Sequence, residues 1–403
     1  MELQEYRFDE ISVNYDKKRV PLSGVQRKKR KGNYRYYGAQ GIIDYIDDYI
    51  FDGMFLLIAE DGENLKSKKQ DIAQIVEGQF WVNNHAHIVT GNDLCDTRYL
   101  CYLINNMDLS GYVTGSAQPK LSQANLNSVI VKLPNMENQK KIVNYLHKLD
   151  EKIELNKKIN KNLEQQAKAV FKSWFEDFTP FDEPLIETPA GIYAPASLQM
   201  VQIANIPHVL ETGKRPKGGA VASGIPSIGA ENVKQLGVVN FSSAKFIPEE
   251  FAAKMKTGAI NGYELLLYKD GGKPGTFIPH FSMFGEGFPY QKFFINEHVF
   301  KLDFGNKGFN EFAYFFIQTD YAYHWLANNG GKAAVPGINQ QNVKDIWIFS
   351  PENSKVKEFG EWVQPLFTTI LKNCAQNVKL AELRDTLLPK LMSGELDISA
   401  LEL

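Results

Sequence analysis

Cysteine is scarce. Cys95, Cys101 and Cys374 are the only three in 403 residues, and no two of them make a C-x-x-C pair. That usage excludes a disulfide framework and a cysteine zinc site, and reduced thiols in a cytoplasmic setting are expected. No run of 18 apolar residues occurs, so no membrane-spanning helix is expected. The N-terminus, MELQEYRFDE, is acidic and lacks the apolar stretch of a signal peptide. Neither sign of charge is in excess. The formal net charge is -2, which does not advertise nucleic-acid binding, although a net value averages over patches. Catalytic signatures are missing too. Gly271-Gly272-Lys273-Pro274 fails the spacing and the hydroxyl of a phosphate-binding loop. There is no G-x-S-x-G, no metalloprotease helix and no Asn/Asp-Pro-Pro-aromatic run. A non-catalytic chain with no metal or cofactor of its own is the expectation.

What is present is two long helices. Glu137–Phe175 has no Gly and no Pro, and Ile142, Leu146, Leu149, Ile153, Leu163, Ala167 and Val170 recur at spacings of four and three. That is a coiled-coil seam. A helix of this length spans roughly 57 Å at 1.5 Å per residue, long enough for a spacer. Two seam positions, Asn156 and Asn160, are polar. Glu352–Leu391 carries a second seam at Phe359, Val363, Leu366, Ile370, Leu380 and Leu387. Adding 217 to the first seam's numbers generates the second, and takes Asn156 to Asn373 and Asn160 to Asn377.

The repeat extends beyond the helices. Tyr37-Gly38-Ala39 corresponds to Ile228-Gly229-Ala230, Leu56–Gly62 to Leu265–Gly271, Phe80–His85 to Phe293–His298, and Pro119–Leu126 to Pro336–Val343. The offset grows from 191 through 209 and 213 to 217, then stays constant through the helix. Insertions therefore sit in the globular arms, where loops absorb them cheaply, and the junction and rod keep their length. The expected architecture is α+β: two repeated mixed α/β arms, each followed by a long helix, with the helices paired as an antiparallel coiled coil of pseudo-two-fold symmetry. The boundaries read as 1-136 for the first arm, 137-178 for its helix, 179-352 for the second arm with a Pro-rich entry at 179-195, 353-396 for its helix and 397-403 for a tail. An isologous pairing sets Asn156 against Asn377 and Asn160 against Asn373, as register pins at some cost in stability. The alternative is that these Asn face solvent.

Within the first arm, Tyr6–Val13 reads as a strand, and Tyr45–Ile50 and Phe55–Ala59 as strands separated by an Asp52-Gly53 turn. Eight cations, Lys17, Lys18, Arg19, Arg27, Lys28, Lys29, Arg30 and Lys31, fall in one stretch without an acid. Arg35 and Tyr36 follow, in an aromatic run. The second arm has Lys214, Arg215 and Lys217 in the corresponding place, and Lys273 in a later loop. A charge run is often only a solvated loop. Two in equivalent places suit the phosphates of a duplex. His85-x-His87 admits a metal site, a DNA contact or a hydrogen-bonded corner. The shared Asn83-x-His85 and Asn296-x-His298 favour the corner. The Gln- and Asn-rich Pro119–Asn125 and Pro336–Asn342 loops can read base edges or cap the chain into its final strand, and the second role is favoured.

The whole pattern resembles the specificity subunits of type I restriction-modification enzymes. The residues that carry the resemblance are Pro119-Lys120-Leu121-Ser122-Gln123-Ala124-Asn125-Leu126, Pro134, the helix end Ala169–Phe175, Thr212-Gly213-Lys214-Arg215-Pro216, Asp61–Leu65 and Leu383–Leu396. One departure is Lys18-Arg19-Val20-Pro21, where the second arm has Gly-Lys-Arg-Pro. The resemblance implies target recognition domains that each read half of a bipartite double-stranded DNA sequence, and a helical pair that sets the gap. It also implies docking of two methyltransferase (modification) subunits and two restriction/translocase subunits, with S-adenosylmethionine, ATP and Mg held by those partners only. The competing reading is a coiled-coil scaffold with two protein-binding arms and no DNA binding.

Overall fold

The computed structural model describes residues 2–67, 70–115, 118–271, 275–331 and 336–398. Most of the 397-403 tail thus lies outside the described residues, as does Lys273. Two helices of 40 residues each, Met136–Phe175 and Ser354–Ser393, run through a chain that divides into two compact units. One unit comprises Met1–Lys152 and Leu380–Leu403, the other Ile153–Lys379. Each unit therefore takes in part of both helices, which cuts across the arm-and-rod boundaries read from the sequence. The reason is apolar burial. Leu391, Met392 and Ile398 share a core with Phe8, Ile142 and Leu146, so the end of the second helix packs within the first unit.

In the first unit, six strands form one sheet in the order Ser12–Asn14, Ala86–Gly91, Phe51–Ala59, Ala73–Val82, Lys31–Gly38 and Gly41–Ile46. Lys31–Gly38 runs parallel to Ala73–Val82, pairing Tyr36 with Trp81 and Tyr37 with Val82. A separate pair joins the opening strand, Gln4–Arg7, to the closing strand, Ile130–Leu133, antiparallel. Three expectations fail here, and the first is Tyr45–Ile50: the strand Gly41–Ile46 ends at Ile46, and residues 47–50 connect it to Phe51–Ala59. Tyr6–Val13 is not one strand, because Phe8–Ile11 winds into a helical turn that buries Phe8 and Ile11 on one side, and the Glu10 carboxylate accepts from the Arg7 amide at 2.6 Å. Asp52-Gly53 is not a turn. It sits inside Phe51–Ala59, where Gly53 pairs with Gly78 and both adopt positive φ, 127° and 81°, a local twist that Gly accommodates without a Cβ clash. The loop after Pro119 caps the helix Gln123–Asn127 through Ser122 Oγ, which accepts from the Asn125 amide.

The second unit repeats this plan with shorter strands. Ile225–Ile228 runs parallel to Phe294–Ile295, pairing Ser227 with Phe294 and Ile228 with Ile295. Leu265–Tyr268 pairs antiparallel with Val299–Asp303. Its opening strand, Met200–Gln202, pairs antiparallel with its closing strand, Trp347–Phe349. Entry and exit thus lie side by side in each unit. Asn339 caps the helix Gln340–Lys344, as Ser122 does its counterpart. The core is aromatic, with Phe171, Phe175, Phe312, Phe315, Phe359 and Phe367 buried together.

The two long helices meet antiparallel within this unit. Asn156 Nδ2 donates to Asn377 Oδ1 at 2.8 Å, and Asn373 Nδ2 donates to Asn160 Oδ1 at 2.8 Å. Asn156 is fully buried, and Asn160 also donates to the Ile370 carbonyl. A slip of one seam layer would keep a single Asn–Asn pair and set the other amide against Ile370 or Leu380, and an unpaired buried amide costs about 1–3 kcal/mol. The Asn pairs therefore penalise every other register. Within the first unit the helices are joined by Arg384 to Asp150 at 2.8 Å, and Tyr102 donates to the same carboxylate at 2.6 Å.

Candidate nucleic-acid interface

The same corner is built in both units, from the residues up. In the first, the Asn83 amide donates to the Tyr37 carbonyl as the parallel strand pair ends, and Asn83 Oδ1 then accepts from the His85 amide. His85 Nδ1 lies 2.7 Å from Asp61 Oδ2. The Gly62 amide donates to the Pro119 carbonyl, and the Leu121 amide to the Glu60 carbonyl. In the second unit the equivalents are Asn296 to Ile228, His298 to Asn296, His298 to Asp270, Gly271 to Pro336 and Ile338 to Lys269. The corner ties the end of the parallel pair, the Asp-Gly loop and the Pro loop into one node. Among the described residues no His/Cys/Asp/Glu group is arranged to hold a metal. His87 is instead locked between Asp16 and the Leu121 carbonyl, at 2.6 and 2.8 Å. Burial works to raise the Asp16 carboxyl, but hydrogen bonds from His87 and the Ile88 amide, with the Arg19 charge, outweigh it and hold it below the usual carboxylate range.

The basic stretch of the first unit divides in two. Arg19 is turned inward. It pairs with Glu60 at 2.8 Å, lies 3.4 Å from Asp16, and donates to the Ala86 carbonyl at 2.8 Å. Arg27 donates to the Leu22 carbonyl at 2.7 Å and pairs with Asp44, which also holds Lys31. Arg30 lies over the Trp81 ring and pairs with Asp47. Arg35 donates to the Glu77 carbonyl and lies 5.7 Å from the Tyr37 ring centre. Tyr36 is fully buried, its hydroxyl accepting from the Leu22 amide at 2.9 Å. Tyr36, Arg19 and Arg27 are thus placed less openly than a DNA contact would need. A duplex cannot reach a buried ring, and a guanidinium satisfied by carboxylates and carbonyls has little charge left to offer. The acids that satisfy them, Glu60 and Asp44, lie outside the acid-free stretch. Lys17, Lys18, Lys28 and Lys29 remain exposed.

In the second unit Lys214, Arg215 and Lys217 are exposed, with Arg215 3.6 Å from Glu297. Strand pairing brings Lys245 to the same loop, from Lys245–Ile247 beside Ile225–Ile228. Sequence reading had no signal for Lys245, a lone lysine about thirty residues away from the basic loop.

Residues 2–165 match the model of the type I restriction modification DNA specificity domain. A putative type I restriction enzyme specificity subunit of Haemophilus influenzae is 35% identical over 141 residues, which is 35% of this chain and 36% of that relative. The match thus spans about a third of that relative's length. The type I restriction enzyme MjaIX specificity subunit of Methanocaldococcus jannaschii is 28% identical over 314 residues, covering 76% of this chain and 70% of that one. The crystal structure of the type I restriction-modification system S subunit from M. genitalium superposes with a TM-score of 0.64 at 14% identity, over 97% of this chain and 96% of that one, which establishes a shared fold. The chain is thus similar over residues 2–165 to the DNA specificity domain, and over most of its length to a type I specificity subunit, so the resemblance read from its motifs stands.

Proposed function

We propose that this chain is the DNA-recognition subunit of a type I restriction-modification system. Each unit reads one half of a bipartite duplex sequence, and the antiparallel helices fix the unread distance between the halves. The supporting observation is duplication: the corner, the parallel strand pair and the side-by-side opening and closing strands occur twice, each set followed by a 40-residue helix. Exposed lysines supply sequence-independent attraction to phosphates, and a few side chains per unit discriminate bases. In this reading the chain itself is not catalytic. Two methyltransferase subunits dock on it, bring S-adenosylmethionine and extrude the target adenine, because its amine is inaccessible in the stack. Two restriction/translocase subunits bring ATP and Mg.

Co-expression with the neighbouring modification gene and mapping of methylated adenines across the host genome tests this directly. The expected result is two short specific segments separated by a constant unspecified gap. Methylation absent, or confined to one contiguous motif, would rule it out and favour a protein-binding scaffold.

The division of the basic stretch gives a second expectation. Lys28→Ala with Lys29→Ala lowers the slope of log affinity against log salt by up to about 0.9 for each phosphate no longer neutralised. Arg19→Ala leaves that slope alone and lowers the unfolding midpoint instead, by stranding Glu60 and Asp16. Salt titrations and thermal melts of the three proteins separate the two roles, and an Arg19→Ala slope as flat as that of the double variant would contradict the assignment.

A further inference from the structure

Beneath the basic loop of the second unit lies a cavity of ≈ 60 Å³. Its lining is mixed, with three cations. Lys214 and Arg215 come from the loop and Lys245 from the neighbouring strand; Ser227 and the corner residues Asn296 and His298 add polar groups, and Pro216, Ala220, Phe246 and Ile247 form apolar walls. One carboxylate, Glu297, also lines it, with Arg215 3.6 Å and His298 Nε2 3.4 Å away. Three permanent cations thus face one carboxylate. Lys245 lies 3.6 Å from Glu231 and keeps 56% of its side chain exposed, so it is free to exchange that weak pair for a ligand.

The equivalent place in the first unit is filled by Tyr36, and Asp44 stands there in the position that Lys245 holds in the second. Tyr36 pairs with Trp81 across the parallel strands as Ser227 pairs with Phe294, so the two occupy equivalent positions on the same face. Tyr36 is buried with Leu22, Ile46 and Trp81, bonds the Leu22 amide just after the Lys18–Pro21 segment, and carries the Arg27 guanidinium 5.2 Å from its ring centre. Ser227, with a short side chain where a phenol ring would be, leaves the floor of the basic loop open.

We infer that the second unit seats one backbone phosphate of the DNA in this cavity, held by Lys245 with Lys214 and Arg215, and that Tyr36 closes the equivalent seat in the first unit. The inference rests on the DNA-recognition reading. It makes the two units unequal in how they are anchored: a fixed phosphate sets the register of the second unit on its half of the target, and the first relies on its exposed lysines.

The test uses the full-length chain, alone and with co-expressed modification subunits, in salt titrations against a short mixed-sequence duplex. Lys245→Gln is expected to lower the salt slope by about 0.9, the contribution of one phosphate, and Lys245→Arg to retain it. Ser227→Tyr, which fills the cavity as Tyr36 fills its counterpart, is expected to match Lys245→Gln. Lys157→Gln, on an exposed face of the first long helix, is expected to match the parent. If Ser227→Tyr fails to fold, the Lys245 pair still decides the matter. A parent chain that binds duplex with a slope unchanged in Lys245→Gln overturns the phosphate seat and leaves DNA recognition standing. A slope lowered equally in Lys157→Gln overturns the seat's location. No duplex binding by the parent in either form overturns the underlying reading itself.

Discussion

Replacing residues 179–352 with the corresponding segment of another specificity subunit is expected to change one half of the methylated sequence completely and leave the other half untouched. The physical ground is the closure of the second unit. Met200–Gln202 and Trp347–Phe349 are hydrogen-bonded neighbours, so the segment between them leaves and returns at one place. Its core of Leu265, Leu267, Phe281, Phe300 and Leu302 is supplied largely from within the segment. Among the described residues, the strands of these sheets all come from within this segment. Each mismatched base pair costs about 1–3 kcal/mol in a specific site. Three or four altered positions in a half-site therefore reduce affinity for the old sequence by at least about a hundred-fold. Methylation mapping of the exchanged protein reads this out. A change in both halves would mean that recognition is shared between the units, and the modular reading would fail. The swap has one vulnerable point, where Phe312 and Phe315 pack on Phe171 of the first long helix and Phe359 of the second, so a donor with aromatic residues at those sites is the suitable choice.

Glu311 carries the second large expectation. It lies on the helix Lys307–Phe316, fully buried, with neither carboxylate oxygen hydrogen-bonded among the described residues. One turn earlier Gly308 meets Gly360 of the second long helix backbone to backbone, which draws the two helices close. Burial pushes the Glu311 carboxyl up to about 8, with its own backbone amide and Lys307 offsetting only part. Lys307 is itself engaged with Glu286. The sign follows. An acid whose pKa is higher in the folded chain than in the unfolded one binds its proton more tightly when folded. Its burial costs little below about pH 4.5, costs more as pH rises toward 8, and is constant above that. The full cost is on the order of 5 kcal/mol. Glu311→Gln removes the charge and keeps the shape, although its amide also lacks partners. It is expected to be near neutral at pH 5 and to stabilise the second unit by about 2–3 kcal/mol at pH 8. Urea unfolding across that range, followed by the near-ultraviolet signal of the second unit's aromatic core, checks it. Parallel pH profiles for parent and variant would exclude an ionising Glu311. No sequence pattern announces this group: in K-G-F-N-E-F-A-Y it looks like an ordinary helix-surface acid.

Much of the architecture was legible because it is written in local periodicity. A seam spaced at three and four residues, uninterrupted by Gly or Pro, dictates a helix. The constant offset of 217 relates the two helices and places Asn156 opposite Asn377 without any structure. The Asn-x-His repeat likewise marked the corner, since a side-chain-capped turn needs those residues at fixed spacing; that the Asp-Gly loop joins it is seen only in the fold. Strand boundaries were less legible. Asp52-Gly53 looked like a hairpin turn because the same Gly that closes a turn also permits the twisted pairing with Gly78. Phe8–Ile11 looked extended because four residues hold too little periodicity to tell a helical turn from a strand.

Sequence by itself determined the duplication, the helical rods, their antiparallel register and the repeated corner, all of which follow from spacing along the chain. Only the tertiary structure decided which cations are free. The partners that neutralise Arg19, Arg27 and Arg30 come from Glu60, Asp44 and Asp47, on other strands or loops. Likewise, only folding brings Lys245 to Lys214 and sets Ser227 beneath them where Tyr36 closes the other unit. Charge is a property of a residue, but its availability is a property of what packs against it, and that is set by pairings that sequence spacing does not encode.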